Sequence, residues 1–357
     1  MPEPTPEYRA EYSLGVDGRA LAAAWTVFLF ALAVVLVYLV RQTLMLFALA
    51  VFLAHLISPA VDLLERYSPQ RRRSRTAALG IVYLLILAAA VAVLIPIGSI
   101  IGEQAANLAA RLPAAIQQDP LAHLPLPSWL EEVRPRLTEL LRARMEELGQ
   151  NVLPMLSSAG ARILSGLGNL FSLILIPILS FFIVKDGPVI RNSLIEAAPA
   201  SHRTLAEEIL NDIHFLLIRY IRALVLLAAA TFVSHSVVLS LMGVPYSILL
   251  AGLAAVLEFI PILGPLTAAA ILLTVSAFAG YGHLLWIGVF LAAWRLFQDY
   301  VLNPFLMSSG VAIHPVMVLF GVLAGEQVAG IPGMFFSVPV MAALRVILLR
   351  VRQTRYA

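Results

Sequence analysis

Long runs of apolar residues alternate with short polar segments along nearly the whole chain. Three of these runs fill positions 21–40, 77–101 and 221–242. Each is close to the ~20 residues that an α-helix needs to cross a hydrocarbon core of about 30 Å. Because lipid offers the backbone no hydrogen-bond partners, runs of this kind must be helical. The pattern predicts an all-α polytopic membrane protein.

The first apolar stretch is too long for a single span. As one helix, positions 21–57 would measure roughly 55 Å at 1.5 Å per residue, and Arg41 and Gln42 interrupt them. We therefore expect two short spans in a hairpin, within a group of membrane helices over 21–102. Arginines crowd the 62–76 loop, which the positive-inside rule places in the cytoplasm together with the N-terminal segment 1–20.

The middle of the chain alternates between extramembrane and membrane segments. Residues 103–160 are mixed in charge and are predicted to form an extracytoplasmic insert of amphipathic helices, and 161–184 is predicted to return through the membrane. The 185–220 segment that follows reads as a cytoplasmic amphipathic helix continuous with the 221–242 span. Within it, Thr204 and Glu207 have the spacing of a capping box.

The C-terminal half, residues 221–349, contains two units of similar order. Each unit has a spanning helix, at 221–242 and 283–302, followed by a short apolar arm, at 246–257 and 315–324. Both arms fall short of the ~17 residues that a span requires, which favours re-entrant hairpins, although one broken span per unit would satisfy the same topology. The hairpin breaks are Pro261, Gly264, Pro265, Gly330, Pro332 and Gly333. This arrangement gives about eight membrane segments and a cytoplasmic tail at 350–357.

Five polar residues lie in the apolar surroundings of this half. The candidates for solute or ion binding are Glu258, Arg295, Asp299, Asn303 and Glu326. Charges inside a membrane are costly and usually face the interior of the helix bundle. Two carboxylates beside two helix breaks at corresponding positions are the pattern expected of a transport site. The structural alternatives are an Arg295–Asp299 ion pair across one helical turn and hairpin tips that reach the headgroup region.

The composition excludes several classes of function but does not identify the function itself. The chain is 61% hydrophobic and 13% charged, with a net charge of +3 and no cysteine. The chain has no block of basic residues that would predict a nucleic-acid partner. The seven histidines form no metal-binding spacing, and no hydrolase elbow or phosphate loop is present, so we expect no enzyme, no metal and no cofactor.

Several motifs resemble the AI-2E family of bacterial transporters. They are Gly243-Val-Pro-Tyr-Ser-Ile-Leu-Leu-Ala-Gly252, Glu258-Phe-Ile-Pro-Ile-Leu-Gly-Pro265, Asn303-Pro304, His314-Pro315, Gly330-Ile-Pro-Gly-Met-Phe-Phe-Ser-Val-Pro339 and Phe182-Ile-Val-Lys-Asp-Gly187. The resemblance implies an inner-membrane protein with about eight membrane segments, both termini in the cytoplasm, and a homo-oligomer such as a pentamer. It also implies export of the quorum signal autoinducer-2 or sodium/proton exchange. Many relatives have Asn where this chain has Glu258.

The leading hypothesis is a secondary transporter whose hairpin tips form a midplane site. In this hypothesis Glu258, Asp299 and Glu326 exchange protons or bind a cation, and Arg295 holds Asp299 or an anionic solute. A passive oligomeric pore or a membrane scaffold is the alternative. The expected partners are the lipid bilayer, a small solute or Na⁺/H⁺, and further copies of the chain.

Overall fold

The computed structural model describes residues 18–67, 75–117, 131, 133–147, 149–150, 170–307 and 314–356. These residues form helices joined by short turns, and no strand occurs among them. The prediction of an all-helical protein is confirmed for this part of the chain. The chain divides into two compact units, Met1–Leu44 and Met45–Ala357.

The first unit contains helix α1, Gly18–Leu39, whose described side chains are exposed and mostly apolar. Helix α2, Arg41–Tyr67, begins after the single residue Val40. The Arg41 guanidinium carbon lies 4.2 Å from the centre of the Tyr38 ring. This is a cation–π contact, in which the face of the ring stabilises the positive charge of the arginine. Arg41 therefore marks the predicted break. The hairpin of two spans stays a prediction.

Six helical stretches of the described residues are long and apolar enough to cross a membrane. They are Leu21–Leu39, Arg41–Val61, Leu79–Arg111, Ala200–Leu241, Leu284–Leu306 and Pro315–Thr354. The count of eight membrane segments stays a prediction. Part of the predicted 161–184 span lies outside the described residues, and the remainder opens helix α5, Leu170–Glu196.

Helix α3, Arg75–Gln117, continues well beyond the predicted end of its span at residue 101. Its extension packs against helix α4, Arg134–Glu147, and carries Gln104. The Gln104 side-chain oxygen accepts a 2.8 Å hydrogen bond from the backbone N–H of Leu249. Leu249 lies in the first turn of a later helix, where backbone N–H groups have no partner within the helix. Gln104 thus supplies one of the missing acceptors.

Helix α6, Arg203–Leu241, shows that the 203–220 part of the predicted amphipathic segment and the following span form one continuous helix, whereas residues 185–196 belong to α5. The predicted capping box is wrong, because the helix starts at Arg203 with His202 as an N-cap that makes no side-chain cap. A 3₁₀ turn, Ala200–His202, leads into the helix instead. The Glu207 carboxylate forms an ion pair with the guanidinium of Arg191 on α5 at 2.8 Å. This ion pair connects α5 and α6.

The first predicted hairpin consists of two short helices in contact, α7 (Ser247–Leu257) and α8 (Leu263–Phe278). A Cβ atom at Gly264 would overlap the carbonyl oxygen of Leu257, so the tight turn between the helices requires glycine there. Ile262 has φ +66° and ψ −56°. A β-branched residue rarely adopts a positive φ, and such strain costs about 1–3 kcal/mol.

The next span contains an irregular segment that the sequence did not predict. Helix α9, Leu284–Phe297, passes into a π-helical segment, Gln298–Leu302, and then into helix α10, Asn303–Met307. A π-helical turn holds an additional residue and is found frequently at functional sites. The segment changes which side chains face the neighbouring helices.

The second hairpin is formed by helix α11, Pro315–Tyr356, which is broken at Ala329 and Gly330. Gly325 and Gly333 approach so closely that a Cβ on either would overlap the carbonyl oxygen of the other, and Gly321 faces Met341. These contacts pair the two arms in antiparallel order. The predicted break at Gly330 and the predicted packing role of Gly321 and Gly325 are confirmed. The re-entrant placement of both hairpins in a bilayer stays a prediction.

The main core surrounds the first hairpin. Its buried residues come from α3, α4, α6, α7, α8 and α9, and the largest fully buried ones are Met145, Leu239, Leu250, Leu272 and Ile287. Three phenylalanines join the two hairpins to α2. The Phe259 and Phe335 rings lie 5.4 Å apart, and Phe52 lies 5.0 Å from Phe335. Ring pairs at these distances add about 0.5–1.5 kcal/mol beyond the area they bury.

We expect Gly333→Ala to destabilise the protein by about 1–3 kcal/mol, the cost of overpacking a close contact. The added methyl group meets the backbone of Gly325, which cannot rotate away as a side chain can. Thermal unfolding in detergent measures the effect. Gly80→Ala on α3 is the matched control, since a Cβ there meets no atom within 4 Å. Equal unfolding temperatures for the two variants would contradict the glycine contact.

Candidate functional site

The structure brings Glu258 together with residues of the two long helices that flank the first hairpin. Glu258 ends helix α7 and is only 7% exposed. Its Oε1 atom accepts hydrogen bonds from the Thr231 hydroxyl of α6 at 3.0 Å and from the Gln298 amide of the π-helical segment at 2.8 Å. Gln298 also donates to the Thr231 oxygen at 3.0 Å. Three polar side chains thus form a closed triangle inside the apolar bundle.

The Glu258 carboxylate makes no ion pair with the described residues. Both of its neighbours act as hydrogen-bond donors, so the carboxylate serves as the acceptor of the triangle. No counter-ion thus touches the carboxylate among the described residues, and the charge of Arg295 acts on it only through space. A buried charge without a directly paired counter-ion is costly, so a proton or another cation bound there would stabilise it.

A cavity of about 260 Å³ lies against this triangle. Besides Thr231, Glu258 and Gln298, its lining includes His235, Trp294, Arg295, Pro265 and several alanines and leucines. We call it the Glu258 cavity. Water or a small solute fits a space of this size, so the carboxylate has room for exchange with a mobile species.

His235 contributes a second titratable group to the Glu258 cavity. Its Nδ1 atom lies 3.0 Å from the carbonyl oxygen of Thr231. Because a carbonyl only accepts, Nδ1 carries the hydrogen, and Nε2 of the neutral ring is left as an acceptor. The ring is enclosed by Phe290 at 5.0 Å and Trp294 at 5.9 Å.

The predicted ion pair of Arg295 and Asp299 is present. Arg295 Nε donates to Asp299 Oδ2 at 2.9 Å, and the two side chains are 46% and 40% exposed. Asn303 continues the row and donates to Asp299 Oδ1 at 3.2 Å. Arg295 also lines the Glu258 cavity, whereas Asp299 and Asn303 do not. The row is thus linked to the Glu258 cavity through Arg295.

Glu326, the remaining predicted site residue, lies apart from this cavity lining. Its side chain is exposed and makes no hydrogen bond or ion pair with the described residues. It belongs to the last helical turn of the first arm of α11, before the break at Ala329 and Gly330. Of the hairpin breaks, Pro265 lines the Glu258 cavity, while Gly264, Gly330 and Gly333 shape the turns.

Sequence reasoning missed Thr231, His235 and Gln298. Each is one polar residue in an apolar helix, and such residues commonly bond their own backbone, as Thr274 does to Ala270 at 2.8 Å. A signal for Thr231 and His235 did exist: they are four residues apart and share a helix face. Gln298 had no comparable signal, because the π-helical turn decides the direction of its side chain.

Comparison with known proteins places these features in a family. The profile of the AI-2E family transporter matches residues 26–353. "Putative transport protein YueF" of Bacillus subtilis is 24% identical over 309 residues, 82% of this chain and 80% of that protein. "Putative permease PerM" of Escherichia coli is 26% identical over 215 residues, 59% of this chain and 60% of its own length.

A third relative matches a shorter part. "Putative transport protein YrrI" of Bacillus subtilis is 28% identical over 196 residues, which is 54% of this chain. The chain spans just over half the length of that relative, 56%. These proteins are named for transport or permeation. The family profile covers most of the chain, including both hairpins and the Glu258 cavity, and the protein is a membrane protein that belongs to the AI-2E transporter family.

Proposed function

We propose that this protein is a cation-coupled secondary transporter in which Glu258 binds the coupling ion. One observation carries the proposal: a buried carboxylate, held by two hydrogen-bond donors and by no ion pair among the described residues, borders a cavity beside a broken helix. Helix breaks and intramembrane carboxylates are the features from which transporter sites are built. Membership of a transporter family supports the same function.

Two coupling ions fit the chemistry of the Glu258 cavity. A proton can neutralise the carboxylate directly, and His235 offers a second proton acceptor in the cavity lining. Sodium would be bound by oxygen atoms, which Glu258, Thr231 and Gln298 supply. The transported species is then either the cation itself, in sodium/proton exchange, or a small solute that is exported with it, autoinducer-2 being the example from the family resemblance.

The setting that we propose is the bacterial inner membrane, with both chain termini in the cytoplasm and several copies in one assembly. The Arg295, Asp299 and Asn303 row supports the assembly. The row runs from the middle of the Leu284–Leu306 span towards its end, with its first two side chains well exposed. Charges at this depth face protein or water rather than lipid, which a second copy or a water-filled space between copies would provide.

We expect Glu258→Gln to lower gradient-driven flux by about a hundredfold or more, since losing one partner of a buried charge costs about 3–5 kcal/mol. Glutamine keeps the size of the side chain but removes the charge that binds the cation. The measurement is flux into liposomes that contain the purified protein, following internal pH and sodium while each gradient is imposed in turn. Glu196→Gln, an exposed carboxylate at the end of α5, is the control and should transport normally.

Three results of this assay would overturn the proposal. Normal flux in Glu258→Gln would remove Glu258 from the site. Flux that ignores every imposed gradient would identify a passive pore. No flux of protons, sodium or a labelled autoinducer-2 would favour a membrane scaffold.

The Arg295–Asp299 pair gives a second prediction. Asp299 holds the guanidinium that lines the Glu258 cavity, so Asp299→Asn releases Arg295 to neutralise Glu258 in place of the cation. We expect Asp299→Asn to lower flux severalfold and the double variant Arg295→Gln/Asp299→Asn to recover most of it. The same liposome assay measures both. If the double variant stays as inactive as Asp299→Asn, Asp299 binds the cation itself.

A further inference from the structure

A second cavity, of about 370 Å³ and wide open to the protein surface, lies between the end of α6 and the start of α9, and the Trp286 and Val289 side chains in its lining are 63% and 49% exposed. Its lining consists of Met242, Tyr281, His283, Trp286, Val289 and Phe290. We call it the Trp286 cavity. Four of these six side chains are aromatic rings, and none is a lysine or arginine. The Tyr281 hydroxyl donates to the carbonyl oxygen of Met242 at 3.1 Å, which fixes one wall.

The Trp286 cavity and the Glu258 cavity follow one another along the same pair of helices. Residues of α6 meet residues of α9 and the π-helical segment in opposite order: Met242 shares a cavity with Trp286, His235 contacts Phe290 and Trp294, and Thr231 bonds Gln298. The two cavities therefore lie at successive levels along the groove between α6 and α9.

A layer of rings separates the two levels. Phe290 lines the Trp286 cavity and packs its ring at 5.0 Å against His235, which lines the Glu258 cavity. The Trp294 ring contacts the same imidazole at 5.9 Å. We call Phe290, His235 and Trp294 the aromatic layer.

We propose that the Trp286 cavity is the loading site of the transport path, that it binds a compact cation, and that Phe290 separates it from Glu258. This inference rests on the proposed function and names its entry site. Aromatic rings attract cations to their negative π-faces. The lining contains no Lys or Arg side chain that would repel a cation. The groove also leads to the Glu258 carboxylate. The same rings would give an anion no comparable attraction.

Because the natural chain has no cysteine, single introduced cysteines can report access to each cavity. Ala269→Cys places a thiol in the Glu258 cavity and Val289→Cys in the Trp286 cavity. Gly282→Cys, in the exposed turn beside Tyr281, identifies the membrane face on which the groove opens. The probes are a trimethylammonium-ethyl and a sulfonatoethyl methanethiosulfonate, applied to that face of full-length protein in liposomes, with rates normalised to a free thiol.

We expect Phe290→Ala to raise the labelling rate of Ala269→Cys severalfold. Phe305→Ala, the same substitution at an exposed position of the same span, should leave that rate unchanged. Phe290→Leu is the milder variant if the alanine variant unfolds, and should give a smaller increase. Unchanged labelling in every folded Phe290 variant would show that this side chain does not separate the cavities.

The choice of a cation is tested at Val289→Cys. The trimethylammonium reagent should react about tenfold faster than the sulfonate, and Trp286→Leu should remove most of that preference, because the ring face supplies it. Equal rates for both reagents would refute a cation site and would leave Trp286 as part of an ordinary interfacial aromatic belt.

The labelling assay tests the loading path, and the flux assay tests the transport function, so each proposal can be refuted without the other. If Glu258→Gln abolishes flux while labelling ignores Phe290, the loading path is wrong and the transport function stands. If labelling responds to Phe290 while flux ignores every gradient, the path stands and the proposed coupling is wrong.

Discussion

A polar group inside a bilayer has to find its partners within the protein, and this requirement explains most of the irregular features of the fold. Gln104 accepts a hydrogen bond from a backbone N–H in the first turn of a short helix, and Asn303 and Arg295 both donate to Asp299. Thr231 and Gln298 serve Glu258 but only as hydrogen-bond donors. Among the described residues Glu258 has no counter-ion in direct contact, and the proposed cation coupling rests on this feature.

Close packing of glycines holds the frame around that carboxylate. Gly325 and Gly333 bring the two arms of α11 together, and Gly264 closes the turn that follows Glu258. In lipid, helix association depends on van der Waals contact and on close backbone approach. The strained φ of Ile262 persists because the helices on both sides fix the turn. The site therefore rests on backbone contacts as well as on side chains.

The sequence predicted the helical class, the two broken hairpins, Glu258 and the Arg295–Asp299 pair, because each leaves a local signature in hydrophobicity, Pro and Gly, or helical spacing. It could not predict Thr231, His235 and Gln298 as neighbours of Glu258. That neighbourhood depends on the crossing of α6, α7 and α9 and on one π-helical turn, and both are set by tertiary packing. Glu326 has a similar position in the second unit but does not line the same cavity, so its part in binding stays a prediction.

The three phenylalanines between the hairpins and α2 connect these elements of the fold. Phe259 follows Glu258 directly, and its ring lies 5.4 Å from Phe335, which in turn lies 5.0 Å from Phe52. Because protein interiors are close-packed, the turn that carries Glu258 cannot shift unless the Phe335 ring of the second hairpin adjusts with it, and Phe335 is in turn held against α2.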